Sequence, residues 1–183
     1  VGRVAYCCLV DRHGKALDDC TVGVLGKKHY RMTSSEPWLA WLRRHGRGLA
    51  VEIEDSTHRI AALALQGPAA RAVLDPLVDF DMDRMRFFRV RRMKLAGVDV
   101  HVSRTGYTGD LGYEIWMDSG AALAVWDAIV ESGAPHQIQP IGLDALDVVR
   151  IEAGFVLQGV DYFSARGCMI ESRKSSVFEI GLG

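Results

Sequence analysis

The spacing of apolar and polar residues divides the chain into short strands and a few helices. Two apolar, β-rich runs, residues 4–10 and 16–25, flank a polar turn and predict an opening hairpin. Residues 36–44 have helical spacing, and residues 49–54 alternate like a strand. The first part of the chain therefore predicts a hairpin, a helix and a further strand.

Strands and helices continue to alternate irregularly through the rest of the chain. The predicted strands are residues 60–65, 87–95, 98–103 and 113–117, and the predicted helices are residues 69–74, about 119–131 and 142–153. The last helix places Leu143, Leu146 and Val149 on one apolar face. Because no regular βαβ rhythm is present, the pattern favours the α+β class, with antiparallel sheets and flanking helices.

The composition allows a substantial hydrophobic core and indicates no highly charged partner. Hydrophobic residues make up 49% of the 183 residues, and the formal net charge is −1. No apolar run approaches the ~18 residues of a membrane helix. From this balance we expect neither nucleic acid nor a membrane as a partner.

The cysteines and histidines lack the spacing of a metal site. The four cysteines (Cys7, Cys8, Cys20 and Cys168) form no CxxC pair, and the six histidines show no HxH or HExxH pattern. We therefore expect no bound metal. Free thiols in a chain that opens without a signal peptide also lead us to expect a reducing, cytoplasmic setting.

A glycine-rich stretch, residues 103–114, is the most distinctive feature of the sequence. Its three glycines permit close approach of backbone to backbone or to a flat ligand. Tyr107 offers a ring for stacking. Glu114 lies on the next predicted strand, which would hold its carboxylate in a fixed position. A pterin needs such a slot, an aromatic face and an acceptor pair for its N–H edge. The alternative is a glycine-rich hairpin with a surface glutamate.

Two adjacent acids, Asp18 and Asp19, stand on the second predicted strand. Neighbouring side chains of a strand point to opposite faces, so only one of them can face a pocket. A carboxylate in a pocket can accept a proton or stabilise positive charge in a transition state. The alternative is that both acids belong to a solvated turn.

Together these motifs resemble the glycine-cleavage T-protein (aminomethyltransferase) family. Residues 103–114 resemble the family's signature, residues 64–68 its LQGP turn, and residues 142–154 its GL…D…RLEAG helix. The turn that ends in Asp18-Asp19 and the last four residues, Ile180–Gly183, match as well, in family order and spacing. The resemblance covers essentially the whole chain, and the character of both ends leads us to expect a fragment of a longer protein.

The resemblance implies a fold of three lobes around a central folate site. Residues 1–53 would be the end of the second lobe, and residues 54–183 the main part of the first, ferredoxin-like, folate-binding lobe. The C-terminal barrel would be absent from this chain.

The resemblance also implies roles for individual residues. The family's catalytic aspartate matches Asp19, and its folate-binding residues match Glu114, Tyr107, Tyr6 and Arg150. It further implies tetrahydrofolate as cofactor and a lipoyl carrier protein as a partner in the family's reaction. That reaction passes an aminomethyl group from the carrier to tetrahydrofolate.

Departures from the family pattern leave the one-carbon donor open. Leu146 stands where the family helix has an arginine, Gln158 stands where it has a tyrosine, and residues 160–176 resemble the looser T-protein-like branch. Three hypotheses follow: a one-carbon (aminomethyl or methyl) transferase, a tetrahydrofolate-dependent demethylase of a small methylated compound, and a non-catalytic folate-binding or regulatory module. Asp19 favours the two enzymes, because a mere binder needs no carboxylate at the reacting nitrogen.

A basic stretch runs from Arg84 to Lys94 and contains Phe87 and Phe88. It predicts a strand with one solvated basic face. An RNA-binding strip and an attraction for folate's polyglutamate tail or an acidic carrier protein are the alternatives.

Overall fold

The computed structural model describes residues 1–183, and its seven strands form two antiparallel sheets. The strands are β1 (Val4–Val10), β2 (Ala16–Gly26), β3 (His29–Ser34), β4 (Ile60–Gln66), β5 (Val90–Leu95), β6 (Val98–Ser103) and β7 (Gly112–Asp118). One sheet has the order β1-β2-β3, and the other has the order β4-β7-β6-β5. The prediction of an α+β fold with antiparallel sheets and flanking helices is confirmed.

Four α-helices accompany the sheets. They are α1 (Leu39–His45), α2 (Ala70–Leu74), α3 (Ala122–Gly133) and α4 (Leu143–Glu152). Short 3-10 helices occupy Asp75–Leu77, Met82–Arg84, Ser119–Ala121, Ala134–His136 and Glu171–Arg173. None of these helices has the length and apolar character needed to cross a membrane.

The chain divides into two compact units. Unit 1 comprises Val1–Val4, Val24–His29 and Ser56–Phe155, and unit 2 comprises Ala5–Gly23, Tyr30–Asp55 and Val156–Gly183. The long segment of unit 1 begins close to the predicted boundary between residues 53 and 54, whereas residues 156–183 group with unit 2. The assignment of these segments to the lobes of the family stays a prediction.

The core of unit 1 lies between the four-stranded sheet and the helices α2 and α3. In β7, every second side chain is buried, because successive residues of a strand point to opposite faces. The buried set includes Tyr113, Ile115 and Met117 of β7 together with Val102 of β6 and Val125 of α3. Burial of this apolar surface holds the sheet against the helices.

Unit 2 has a smaller core around Trp38, which directly precedes α1. Trp38, Leu17 and Ala165 are at most 9% exposed and pack together. The Arg166 guanidinium lies 5.3 Å from the centre of the Trp38 ring system. The Ala165 amide donates to the Ala16 carbonyl at 2.8 Å, and this bond ties the irregular segment after residue 156 to the start of β2.

Two sequence predictions about local structure are wrong. Residues 49–54 form no strand, since their backbone bonds are local turns such as the Val51 amide donating to the Leu49 carbonyl at 2.9 Å. The predicted strand 87–95 begins only at Val90, because Phe88 adopts a positive φ of 55° that breaks extended geometry. The strand β3 was not predicted.

Helix α4 matches its predicted position but not its predicted burial. Leu143 is 82% exposed, and Arg150 is the one residue of the helix that is buried. Of the apolar face inferred from the sequence, Leu143 is therefore open, whereas Leu146 and Val149 are partly buried.

Candidate functional site

The two acids of β2 occupy very different environments. Asp18 is 1% exposed and accepts hydrogen bonds from the Ser35 hydroxyl at 2.6 Å, the Glu36 amide at 3.1 Å and the Trp38 indole at 2.7 Å. The Asp19 amide also donates to it at 2.9 Å. Asp18 thus ties β2 to the segment that precedes α1, and the alternative that both acids belong to a solvated turn does not hold for it.

Asp19 is half-buried and is held by two tyrosine hydroxyls. Tyr6 of β1 donates to Oδ2 at 2.9 Å, and Tyr162 donates to Oδ1 at 2.5 Å. Burial, followed by the hydrogen bond and charge of Asp19, raises the pKa of the Tyr162 hydroxyl, which therefore stays a proton donor at neutral pH. The carboxylate is fixed in orientation and keeps lone pairs free on both oxygens.

Tyr162 is positioned by a tight turn that follows Gly159. The Gly159 amide donates to the Tyr162 carbonyl at 2.7 Å, and the Leu157 amide donates to the Asp161 carboxylate at 2.8 Å. Gly159 has a φ of +87°, a conformation that favours glycine. This arrangement leaves Tyr162 only 3% exposed with its hydroxyl on Asp19.

The sequence interpretation missed Tyr162, although a signal for it was present. Gln158 replaces the tyrosine expected from the family pattern, and Tyr162 is a tyrosine four residues later in the same segment. The two residues form an isolated parallel bridge. Because Gln158 stands where the family has a tyrosine, the nearby Tyr162 could have been considered as a candidate partner of Asp19.

Glu114 of β7 lies half-buried on the sheet face opposite the core of unit 1. Its Oε2 accepts a short hydrogen bond from the Thr105 hydroxyl and a long one from the Ser103 hydroxyl at 3.5 Å. The two hydroxyls are themselves 2.8 Å apart, and both residues are buried. No group of the chain donates to Oε1, so that oxygen can accept from a ligand.

Gly106, in the loop between β6 and β7, and Gly112, the first residue of β7, make room for Gln66, the last residue of β4. A Cβ built on either Gly106 or Gly112 would lie 1.9 Å from Gln66 Oε1. The Gln66 amide nitrogen donates to the Tyr113 carbonyl at 3.4 Å, and the Thr108 hydroxyl donates to Oε1 at 3.3 Å. These two glycines therefore admit a side chain of the protein itself, which the sequence interpretation did not consider.

Tyr107, within the same loop, stacks on Phe155. The two ring centroids are 5.6 Å apart and the planes differ by 11°. Phe155 is 39% exposed, and Tyr107 is partly buried. Phe155 was not among the predicted site residues. It lies in an irregular segment after α4, where no regular spacing of apolar residues indicates which side chain it contacts.

Arg150 of α4 is 2% exposed and bonded within unit 1. Its Nε donates to Asp147 at 2.7 Å, and its Nη1 donates to the Phe155 carbonyl at 3.1 Å. These bonds hold the end of α4 and the residue that stacks on Tyr107. The contact of Arg150 with folate that the family resemblance implies stays a prediction.

The predicted site residues fall into two groups. Tyr6 and Asp19 lie together in unit 2, where Tyr162 joins them. In unit 1, Tyr107 and Arg150 are linked through Phe155, and Glu114 lies with Ser103 and Thr105. Each group joins residues that are far apart in the sequence.

Curated proteins of two kinds are similar to this chain. An aminomethyltransferase of Thermus thermophilus is 40% identical over 87% of this chain and 46% of its own length. A trimethylamine-oxide aldolase of Ruegeria pomeroyi is 38% identical over the whole chain and 23% of its own length. The chain thus spans less than half the length of these relatives.

Two solved structures and one protein-family model also match this chain. The structure of the glycine cleavage system aminomethyltransferase T of Bartonella henselae matches with a TM-score of 0.74 at 27% identity. The match covers 88% of this chain and 43% of that one. The heterotetrameric sarcosine oxidase of Corynebacterium sp. U-96 shares the fold, with a TM-score of 0.63 at 19% identity over 78% of this chain and 69% of that one. The GCVT N-terminal domain model matches residues 1–167, and the chain therefore belongs to the GCVT N-terminal domain family.

Proposed function

We propose that the chain is the folate-binding part of a tetrahydrofolate-dependent one-carbon transferase of the aminomethyltransferase kind. The observation that carries the proposal is the half-buried Asp19 carboxylate held by two phenols. Such a group is pre-organised for proton transfer or charge stabilisation, whereas a surface acid is not. Similarity to aminomethyltransferases such as that of Thermus thermophilus supports the same activity.

We propose Glu114 as the group that binds the pterin edge. Thr105 and Ser103 hold one carboxylate oxygen and leave the other free to accept from a ligand N–H. A carboxylate can receive two parallel N–H bonds from a planar ring edge, which gives both affinity and orientation. Tyr107 and Phe155 add an aromatic surface in the same unit. The acceptor oxygen of Glu114 and the aromatic surface of unit 1 therefore fit a pterin.

Bound tetrahydrofolate would supply the nitrogen that accepts the one-carbon unit. In our proposal, Asp19 accepts or returns a proton near that nitrogen and stabilises positive charge that develops there. Tyr6 and Tyr162 keep the carboxylate in one orientation throughout. We also propose Arg150 as a folate contact, with its guanidinium held in place by its bonds to Asp147 and the Phe155 carbonyl.

The one-carbon donor has two candidates. An aminomethyl group on a lipoyl carrier protein is the donor that similarity to aminomethyltransferases supports. A small methylated compound, and hence a demethylase, is the second candidate, supported by the similarity to a trimethylamine-oxide aldolase. Leu146, in place of the family arginine, agrees better with this second donor. A cytoplasmic setting, expected from the four free cysteines, belongs to the same proposal.

A donor panel with the complete protein and an Asp19→Asn variant tests the proposal. The variant keeps the shape but removes the charge, so turnover should fall by about 10²–10⁴-fold while folate affinity changes only a few-fold. Asp127→Asn, on an exposed position of α3, is the matched control and should keep full activity. Folate binding without turnover on any donor would instead show the non-catalytic module.

A further inference from the structure

A pocket opens on the surface of unit 2, in the irregular segment between Gln158 and Arg173. It has a volume of about 380 Å³, which lies within the range of small-molecule sites. All of its lining residues belong to this one segment. None of the residues that we propose for folate binding or proton transfer is among them. We refer to it, after one of its lining residues, as the Phe163 pocket.

Three large apolar side chains form one part of the lining. Phe163, Met169 and Ile170 are 47%, 95% and 50% exposed, and none of them belongs to the core around Trp38. Apolar surface left in water forgoes about 25 cal/mol for each Å² that burial would remove. Single exposed apolar side chains are common, but three around one pocket form a surface that an apolar ligand can cover.

The open polar groups of this pocket are hydrogen-bond donors. The Arg173 guanidinium has no partner in the chain, since the nearest acid along the sequence, Glu171, pairs with Lys174 at 2.7 Å. The side-chain oxygen of Gln158 accepts from the Ser35 hydroxyl at 3.4 Å, whereas its side-chain nitrogen has no acceptor. No acidic side chain lines the pocket. The free donors and the positive charge therefore suit an anion.

A carboxylate fits this environment better than a phosphate does. One guanidinium fork can bind both oxygens of a carboxylate. Phosphate is typically bound by several donors, such as those of a helix N-terminus, but Arg173 is the only cationic side chain of the lining. The apolar side chains also add nothing to the binding of a bare inorganic ion. The combination indicates a carboxylate that is attached to an apolar body.

The Phe163 pocket adjoins the turn that positions Tyr162. Gln158 and Gly159 line the pocket, and Gln158 forms a parallel bridge with Tyr162. The Gly159 amide donates to the Tyr162 carbonyl at 2.7 Å. A ligand that binds only while this turn is closed stabilises the closed turn by mass action.

We propose that the Phe163 pocket binds a small carboxylate with an apolar body, and that this ligand stabilises the turn from Gln158 to Tyr162. The carboxylate pairs with Arg173, and the apolar body lies against Phe163 and Ile170. The inference goes beyond the proposed function and does not depend on it, since no folate contact is involved. Such a site lets a small metabolite act on the turn that holds Tyr162 against Asp19.

Titrations of the complete protein with matched small molecules test the binding. Phenylacetate is the probe, phenylacetamide removes its charge, and acetate removes its apolar body. We expect phenylacetate to bind at low millimolar concentration and about fivefold more tightly than the amide, with acetate weaker still. Arg173→Met should lower the affinity for phenylacetate to that for the amide. Arg47→Met, at an exposed position of unit 2, is the matched control and should leave it unchanged.

Alkylation of Cys168 gives an independent readout of occupancy. Cys168 is the only thiol in the lining and is partly buried, as are Cys7 and Cys8. Saturating phenylacetate should slow the labelling of Cys168 several-fold and leave that of the other two unchanged, as measured by mass spectrometry. Equal affinity for phenylacetate, its amide and acetate would overturn the inference. Unchanged labelling of Cys168, or tighter binding of inorganic phosphate than of phenylacetate, would also overturn it.

Hydrogen exchange at the Gly159 amide tests the effect on the turn. This amide is bonded to the Tyr162 carbonyl, so its exchange requires the turn to open. Saturating phenylacetate should slow the exchange several-fold, and the Val51 amide, in another turn of unit 2, should be unaffected. Unchanged exchange at Gly159 despite protection of Cys168 would overturn the stabilisation of the turn. Failure of folate to bind would overturn the proposed function and leave this inference standing.

Discussion

Replacing Tyr162 with phenylalanine removes one hydroxyl and tests whether Asp19 depends on its phenol partners. The Tyr162 hydroxyl lies 2.5 Å from Asp19 Oδ1, and the residue is 3% exposed. A hydrogen bond to a charged group contributes about 1.5–3 kcal/mol net. Because Asp19 is only half-buried, water can replace part of the lost bond, and we take the low end of this range.

A loss of about 1.4 kcal/mol in the transition state lowers the rate about tenfold. We therefore expect kcat of Tyr162→Phe to fall about tenfold, while folate affinity stays within a few-fold. Steady-state kinetics with the preferred donor and a folate titration measure the two effects separately. Tyr6→Phe is the matched control: Tyr6 is 43% exposed, so solvent can replace its hydroxyl and the loss should be smaller.

Stability at alkaline pH gives a second readout of the same substitution. Burial raises the pKa of the Tyr162 hydroxyl, so above pH ~10 the unfolded chain loses this proton before the folded chain does. The folded state then binds more protons, and stability falls as pH rises. Tyr162→Phe should reduce this decline in denaturant titrations. Full activity together with an unchanged alkaline decline would refute the role of Tyr162.

Three further substitutions test the structure around the candidate site. Asp18→Asn should lower the free energy of unfolding by about 2–4 kcal/mol in denaturant titrations. If Oδ2 becomes the amide nitrogen, it can no longer accept from the Trp38 indole and the Glu36 amide. A loss under 1 kcal/mol would contradict this. Gly106→Ala should destabilise by about 1–3 kcal/mol through its clash with Gln66. Adding Gln66→Ala should recover part of that loss, and additive losses would argue against the clash. Glu114→Ala should weaken folate binding by about 3 kcal/mol, and unchanged affinity in a titration would remove Glu114 from the site.

The local pattern of the sequence determined most of the secondary structure. The β6 strand was predicted with the bounds Val98–Ser103 that the structure has, because apolar alternation and the flanking turn agree there. The segment at residues 49–54 has a similar alternation but forms no strand. A strand needs a partner, and the residues that could pair with it are not visible in a local pattern.

The family motifs identified the chain, and the tertiary structure decided what individual residues contact. Strand alternation alone required Asp18 and Asp19 to differ, but only folding brought the Trp38 indole to the first and the Tyr162 hydroxyl to the second. The same holds for Gln66, which occupies the space that Gly106 and Gly112 leave open. These partners lie 20 to 143 residues apart in the sequence. Periodicity reports which face a side chain takes, whereas its partner on that face is chosen by how distant segments pack.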